Sequence, residues 1–318
     1  MIGFLLRRTM QAIIVILGVV LIVFLLSRLI PGGEAAAALG PRRTPAAVAH
    51  FNRVNGLDLP IYDQFWRYVW GLFHLDLGYS FKSNEGVKAL ISQRLPKTLT
   101  LVGVSTVVAL VIAVPLGILQ VIKRYTFIDY TLTAGSFLFY AMPPFLLGFL
   151  LILYFNFDLH LFPVSPPINS NATTIFTDPR AFVLPVITLS AITIASFSRY
   201  MRSSMMDTLT QDYVRTARAK GASNNRVLYG HALRNALIPI LTLIGLSLPA
   251  IASGALITET VFNYPGMGLL TVTAASNDDI PTVLGTTLVI TIFTVIGSLL
   301  ADVLYAIADP RIRLGSSS

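Results

Sequence analysis

Four histidines, His50, His74, His160 and His231, are the first candidates for metal ligation. None stands in an H-E-x-x-H or comparable spacing, which points away from zinc catalysis. The chain has no cysteine, so thiolate metal sites, disulfides and cysteine nucleophiles are excluded. No G-x-S-x-G, S-x-x-K or phosphate-cradling loop occurs, and no apolar run holds the two acids that an intramembrane aspartyl protease requires. The expectation is a chain that makes and breaks no bonds and binds no cofactor itself. Any energy from a nucleotide must then reach it through a partner.

The few ionisable residues beside apolar runs each need a reason, because an unpaired charge at a bilayer centre costs at least about 2.5–3.5 kcal/mol. Glu259 follows Thr258 near the end of one run, and Phe262 opens the loop beyond it. Both are candidates for a gate or solute contact, with capping or an interfacial position as the competing reading for Glu259. Asp129 and Asp302 are expected to pair with basic residues near the inner surface. Met142-Pro143-Pro144 breaks another run. Tandem proline frees backbone carbonyls, so this segment should face protein or a water-lined cavity. Pro143 and Pro144 are read either as pathway residues or as a simple kink.

One polar interruption between apolar runs organises the rest: Asp212-Tyr213-Val214-Arg215-Thr216-Ala217-Arg218-Ala219-Lys220-Gly221. Acid in its first turn and Arg218 and Lys220 in its last suit a helix macrodipole. Gly221 supplies the left-handed position that ends a helix, and Ser223 or Asn224 can cap the next. The pattern predicts a short surface helix, a sharp break, and a second helix through Ala232 to Pro239 that returns to the membrane. The dull alternative is a basic loop held against anionic head groups.

Composition says where these elements lie. Of 318 residues, 54% are hydrophobic and only 12% charged, about half the charged share of a soluble domain, and the mean hydropathy is +0.73. This predicts an all-α membrane protein. The expected spans are 9–30, 98–122, 130–155, 181–198, 237–261 and 280–307, with an extracytoplasmic insert over 31–96 and a cytoplasmic coupling region over 203–236. The first span is read as retained, although Ala35-Ala36-Ala37 offers a small-residue cleavage site. The insert carries an amphipathic patch, Phe65 to Trp70, suited to a membrane–water boundary, with direct substrate contact as the other reading. The net charge of +8 is a tempting pointer to nucleic acid, but the basic residues cluster beside apolar runs, where anionic lipid and the positive-inside bias account for them. Arg7/Arg8, Lys123/Arg124, the Arg199–Arg234 region and Arg311/Arg313 fall on one face if six spans leave both termini in the cytoplasm.

At these residues the chain resembles the integral-membrane subunits of ABC importers, specifically the dipeptide/oligopeptide/nickel permease group of DppB and OppB type. Arg215-Thr216-Ala217-x-x-x-Gly221 aligns with the general E-A-A-x-x-x-G loop, keeping the last alanine and the glycine but not the glutamate. The longer string from Asp212 to Gly221 and His231-Ala232-Leu233-Arg234-Asn235-Ala236 are close to the peptide-permease version. Gly56-Leu57-Asp58-Leu59-Pro60, Asp76-Leu77-Gly78-Tyr79-Ser80, Glu259 to Gly268, and Asp309-Pro310-Arg311-Ile312-Arg313 extend the likeness over nearly the whole chain. The resemblance implies a type I ABC importer transmembrane fold in a bacterial cytoplasmic membrane. It implies a second homologous permease, two ATPase subunits and an extracytoplasmic substrate-binding protein as partners. Asp212, Tyr213, Arg215, Thr216, Ala217, Arg218, Ala219, Lys220 and Gly221 would form the coupling helix and its stop. Peptide is the implied solute, with nickel, glutathione or another small solute as alternatives.

Overall fold

The computed structural model describes residues 2–29, 33–40, 43–167 and 170–308. The Asp309–Arg313 string, with Arg311 and Arg313, and the side chain of Asp302 lie outside the described residues. The described chain is almost entirely helical and divides into two units, Met1–Thr98 with Pro265–Val295 and Leu99–Tyr264 with Ile296–Ser318. Among the described residues four helices are long and apolar enough to cross a membrane: Arg7–Ser27, Val87–Ile122, Pro179–Leu209 and Ile280–Leu300. A bent pair, Phe127–Ala141 with Pro144–Asp158, makes five if it counts as one span.

The first unit holds α1 (Ile2–Ser27), α2 (Gly33–Leu39), α3 (Pro45–Val54), α4 (Ile61–Phe73), a hairpin of β1 (Tyr79–Ser80) and β2 (Glu85–Gly86), and the start of α5 (Val87–Ile122). Thr44 caps α3 by accepting from the Ala47 N–H at 3.2 Å, and Gly56, at φ +67°, follows its end. In the hairpin Tyr79 pairs with Gly86 and Ser80 with Glu85. Asp76 accepts from the Gly78 N–H at 3.0 Å, an Asx-type turn that sets it up. The described part of 31–96 therefore contains three helices, α2, α3 and α4, ahead of the hairpin and α5. α5 begins at Val87, earlier than the apolar run does, because Lys88, Arg94 and Lys97 conceal its first turns from a hydropathy reading. Asp279, at the head of α13 (Ile280–Ala308), accepts from Thr282 Oγ1 at 2.7 Å and from the Ser80 hydroxyl, which fixes the hairpin to that helix. Thr98 Oγ1 accepts from the Met267 N–H at 2.8 Å and so caps α12 (Met267–Ser276).

The second unit is built on α9 (Val183–Leu209), the most buried of the apolar helices. α6 (Phe127–Ala141) ends before Met142, whose extended backbone (φ −78°, ψ 126°) is what a following proline imposes. Pro144 then opens α7 (Pro144–Leu151) at a position where a missing N–H costs nothing. The two helices meet at 106°, so the tandem proline produces a full break rather than a gentle kink. α7 runs into a π-helical turn, Ile152–Asp158. After the short α8 (Thr174–Thr177) and a 3₁₀ turn, Pro179–Phe182, the chain enters α9. Asp129, only 1% exposed, pairs with Arg202 of α9 at 2.8 Å and also accepts from the Tyr125 N–H at 3.0 Å. This is the pairing with a basic residue that the sequence predicts for Asp129.

Candidate functional site

The polar interruption folds as α10 (Asp212–Ala219), stopped by Lys220 and by Gly221 at φ +81°. The left-handed backbone at Gly221 suits a residue without Cβ. Ser223 then accepts from the Arg226 N–H at 3.4 Å, and the chain passes through a π-helical stretch, Arg226–Ala232, into α11 (Leu233–Val261). Helix, stop, cap and second helix thus lie where the sequence puts them.

One stripe of α10 is bound and the remainder is free. Val214 is fully buried and Ala217 half-buried, three residues apart and so on one face. Asp212, Tyr213, Arg215, Thr216, Arg218, Ala219 and Lys220 are exposed. Asp212 and Arg215 approach to 3.7 Å, but both are largely in solvent, so this pair contributes little. The buried stripe packs against the Arg226–Ala232 stretch. On the flank, Tyr213 Oη accepts from Asn235 Nδ2 at 2.8 Å.

What α10 is fastened to is itself closely packed. Ala232, Ala236 and Ile240, four residues apart, meet Met201 and Met205 of α9 and Ile118 of α5 in one buried cluster. Small residues let the helices approach, and Ser204 Oγ donates to Ala236 O at 2.9 Å. Beside this junction lies a cavity of about 650 Å³ lined by Asp207, Gln211, Tyr213, Asn235 and Pro239 among others. Asn235 and Val214 were not singled out from sequence. Only the helical spacing of Val214 and Ala217 signals the bound stripe, and nothing local signals the Asn235 bond.

The remaining candidates lie elsewhere in the same unit. Pro143 is exposed and Pro144 half-buried at the helix break. Glu259 and Phe262 have no exposed surface. Phe262 packs with Ile152 and Leu184, and a Cβ on Gly148 would stand 3.3 Å from its ring. Burial and the Glu259 carboxylate push the Tyr264 hydroxyl well above the usual tyrosine range, and the Tyr264 N–H donates to Glu259 O at 2.8 Å. His231 is exposed, and among the described residues no three His, Asp or Glu side chains gather as metal ligands.

α10 is thus a helix fastened along one stripe, stopped sharply and presenting a polar outer face. Comparisons with known proteins identify the family of the chain. The profile of the "Binding-protein-dependent transport system inner membrane component" matches residues 113–314, and its N-terminal counterpart matches residues 1–102. The chain is 38% identical over 315 residues to the oligopeptide transport system permease protein AppB of Bacillus subtilis, covering 98% of this chain and 100% of that one. It is 35% identical over 336 residues to the dipeptide transport system permease protein DppB of Escherichia coli K12, covering 98% and 99%. A probable peptide ABC transporter permease, y4tP of Sinorhizobium fredii, is 37% identical over 312 residues, covering 98% and 99%. The chain belongs to the family of binding-protein-dependent transport system inner membrane components.

Proposed function

We propose that the chain forms half of the translocation pathway of an ATP-driven importer of di- and oligopeptides, and that α10 is its coupling helix. As a member of its family the chain is a non-catalytic, multi-pass subunit of the bacterial cytoplasmic membrane, and it works with an ATPase and a binding protein. The full-length likeness to permeases named for oligopeptides and dipeptides supports peptide as the solute.

The observation that carries the coupling role is the one-sided anchoring of α10. Val214 is buried on the side packed against the Arg226–Ala232 stretch and the Tyr213–Asn235 bond ties the helix to α11, while Arg215, Arg218 and Lys220 remain outward. A helix held in this way transmits a displacement that a loose loop would absorb. In this reading α10 seats in a groove of a cytoplasmic ATPase subunit that binds ATP and magnesium. Closure of two such subunits swings this chain and a second homologous permease, in a heterodimer, from inward- to outward-facing. The 29-residue α11 supplies the sixth span, both termini are cytoplasmic, and the insert faces outward. The break at Pro143-Pro144 borders the pathway, and Glu259 and Phe262 act on it through the packing of α7 rather than by touching solute.

The test is uptake in proteoliposomes by the reconstituted complex carrying Gly221→Pro or Arg215→Glu. Both are expected to abolish dipeptide uptake while the chain still inserts and assembles. Normal uptake by both variants would remove the coupling role.

A further inference from the structure

Within the first unit, a cavity of about 250 Å³ lies beside α4, and coupling makes no use of it. Its lining includes Arg28 at the end of α1, Glu34 on α2, and Gln64, Arg67 and Tyr68 on α4, with Phe24 as an apolar wall.

Three of these side chains have unused hydrogen-bonding capacity. Gln64 Nε2 donates to Leu57 O at 3.0 Å and to Leu59 O at 2.7 Å. Two carbonyl acceptors fix which end of the amide is nitrogen, so the buried Oε1, with no partner among the described residues, is a fixed acceptor. Arg28 gives Nη1 to Glu34 at 3.0 Å and lies 4.7 Å over the Phe24 ring, while its Nε is buried and unpaired. Burial pushes the Glu34 carboxyl up, while Arg28 beside it acts the other way. Arg67 Nη1 lies 3.2 Å from where a Cβ on Gly56 would stand; bare backbone at position 56 makes room for it. A buried polar atom left unmet is destabilising, and an occupant with matching groups recovers that loss. The match is an anion for the two arginines that also carries a hydrogen-bond donor for Gln64.

Depth selects among such molecules. Phe24 contacts Phe65 and Tyr68 of α4 at ring distances of 5.3 and 6.0 Å and stands three residues, about 5 Å, before the last residue of α1. α4 thus packs against α1 from Val20 to Phe24, and the cavity, lined by Phe24 and Arg28, lies at the end of that helix, where head groups lie. Its outward face carries Tyr62, Trp66, Trp70 and Phe73, each at least 63% exposed, the residue types that collect at that boundary. The geometry points to a phospholipid head-group site between α1 and α4, with phosphate oxygens on Arg67 and Arg28 Nε and the ammonium or hydroxyl of the head group on Gln64 Oε1.

Native mass spectrometry of the assembled transporter, delipidated and then titrated with phosphatidylethanolamine or phosphatidylglycerol, tests this. The wild type should retain lipid. Arg67→Gln and Gln64→Leu should each lower retention roughly tenfold, as expected for losing one charge-assisted or buried hydrogen bond, with assembly and melting temperature intact. Arg67 is exposed, so its variant reports even if Gln64→Leu fails to fold. A short zwitterionic peptide, trialanine, serves as competitor because it offers a carboxylate and an ammonium without a phosphodiester. Equal retention by the wild type and the folded variants, or displacement of lipid by trialanine, overturns the assignment.

Discussion

Tyr213 and Asn235, 22 residues apart, are joined by a 2.8 Å hydrogen bond from the Asn235 amide to the tyrosine hydroxyl, and this bond ties the flank of α10 to the first turn of α11. An exposed bond of this kind contributes ~1 kcal/mol or less to stability, so its removal should leave folding intact while loosening the lever. Tyr213→Phe and Asn235→Ala should each lower peptide imported per ATP hydrolysed about two- to fivefold, with ATPase activity retained. The double variant should be no worse than either single, because both delete the same interaction. Uptake and hydrolysis measured in the same proteoliposomes give the ratio, and a ratio equal to that of the wild type would show that the bond carries no motion.

Asp129 and Arg202 make a different kind of junction. The carboxylate is buried and the guanidinium side chain is 27% exposed. Removing one partner of such a pair leaves a desolvated charge, whereas removing both leaves none. Arg202→Met should cost ~3 kcal/mol, and Asp129→Leu with Arg202→Met together should cost clearly less than the sum of the singles. Thermal unfolding in detergent reads both numbers. An additive double variant would mean that the two side chains are not coupled.

Gly117 sets how closely α5 and α9 approach. A Cβ there would stand 2.6 Å from Met201 Cβ and 2.7 Å from Ser198 O, and a backbone oxygen cannot rotate aside. Gly117→Ala should therefore cost ~1–3 kcal/mol by forcing the helices apart. Gly103 on the same helix has open space around its Cβ position, so Gly103→Ala should be neutral or slightly stabilising through helix propensity. A gain at Gly117 equal to that at Gly103 would show that propensity, not packing, governs α5.

The contrast between α10 and its fastenings shows what a sequence can and cannot carry. Asp212, the basic last turn and Gly221 are local signals, and they mark both ends of the helix. The Tyr213–Asn235 bond depends on how two helices turn toward each other, which no local pattern encodes. Pro143-Pro144 likewise says where a helix must stop, because proline removes a donor and restricts the residue before it. The 106° bend itself has no such local mark, and neither has the close approach of Gly148 to Phe262. Asp129 was expected to find a basic partner, but Arg202 is 73 residues away and could not be chosen from spacing. The cavity beside α4 was invisible for the same reason: Gln64 is an acceptor there only because the carbonyls of Leu57 and Leu59 take both of its donated bonds.

Tyr68 gives the alkaline limb of stability. Burial pushes its hydroxyl from 10.0 up to about 12, so between those values an unfolded chain loses the proton while the folded chain keeps it. The folded state then binds more protons, and stability falls as pH rises. This contribution is fully present below pH ~10 and is lost through pH ~12; its size is about 2–3 kcal/mol for a two-unit difference. Tyr68→Phe keeps the ring that stacks 6.0 Å from Phe24 but has nothing to titrate. Melting temperatures from pH 9 to 12 should fall more steeply for the wild type than for Tyr68→Phe, since the remaining tyrosines and lysines titrate equally in both. Parallel profiles would place the Tyr68 hydroxyl in water rather than against the apolar wall of the cavity.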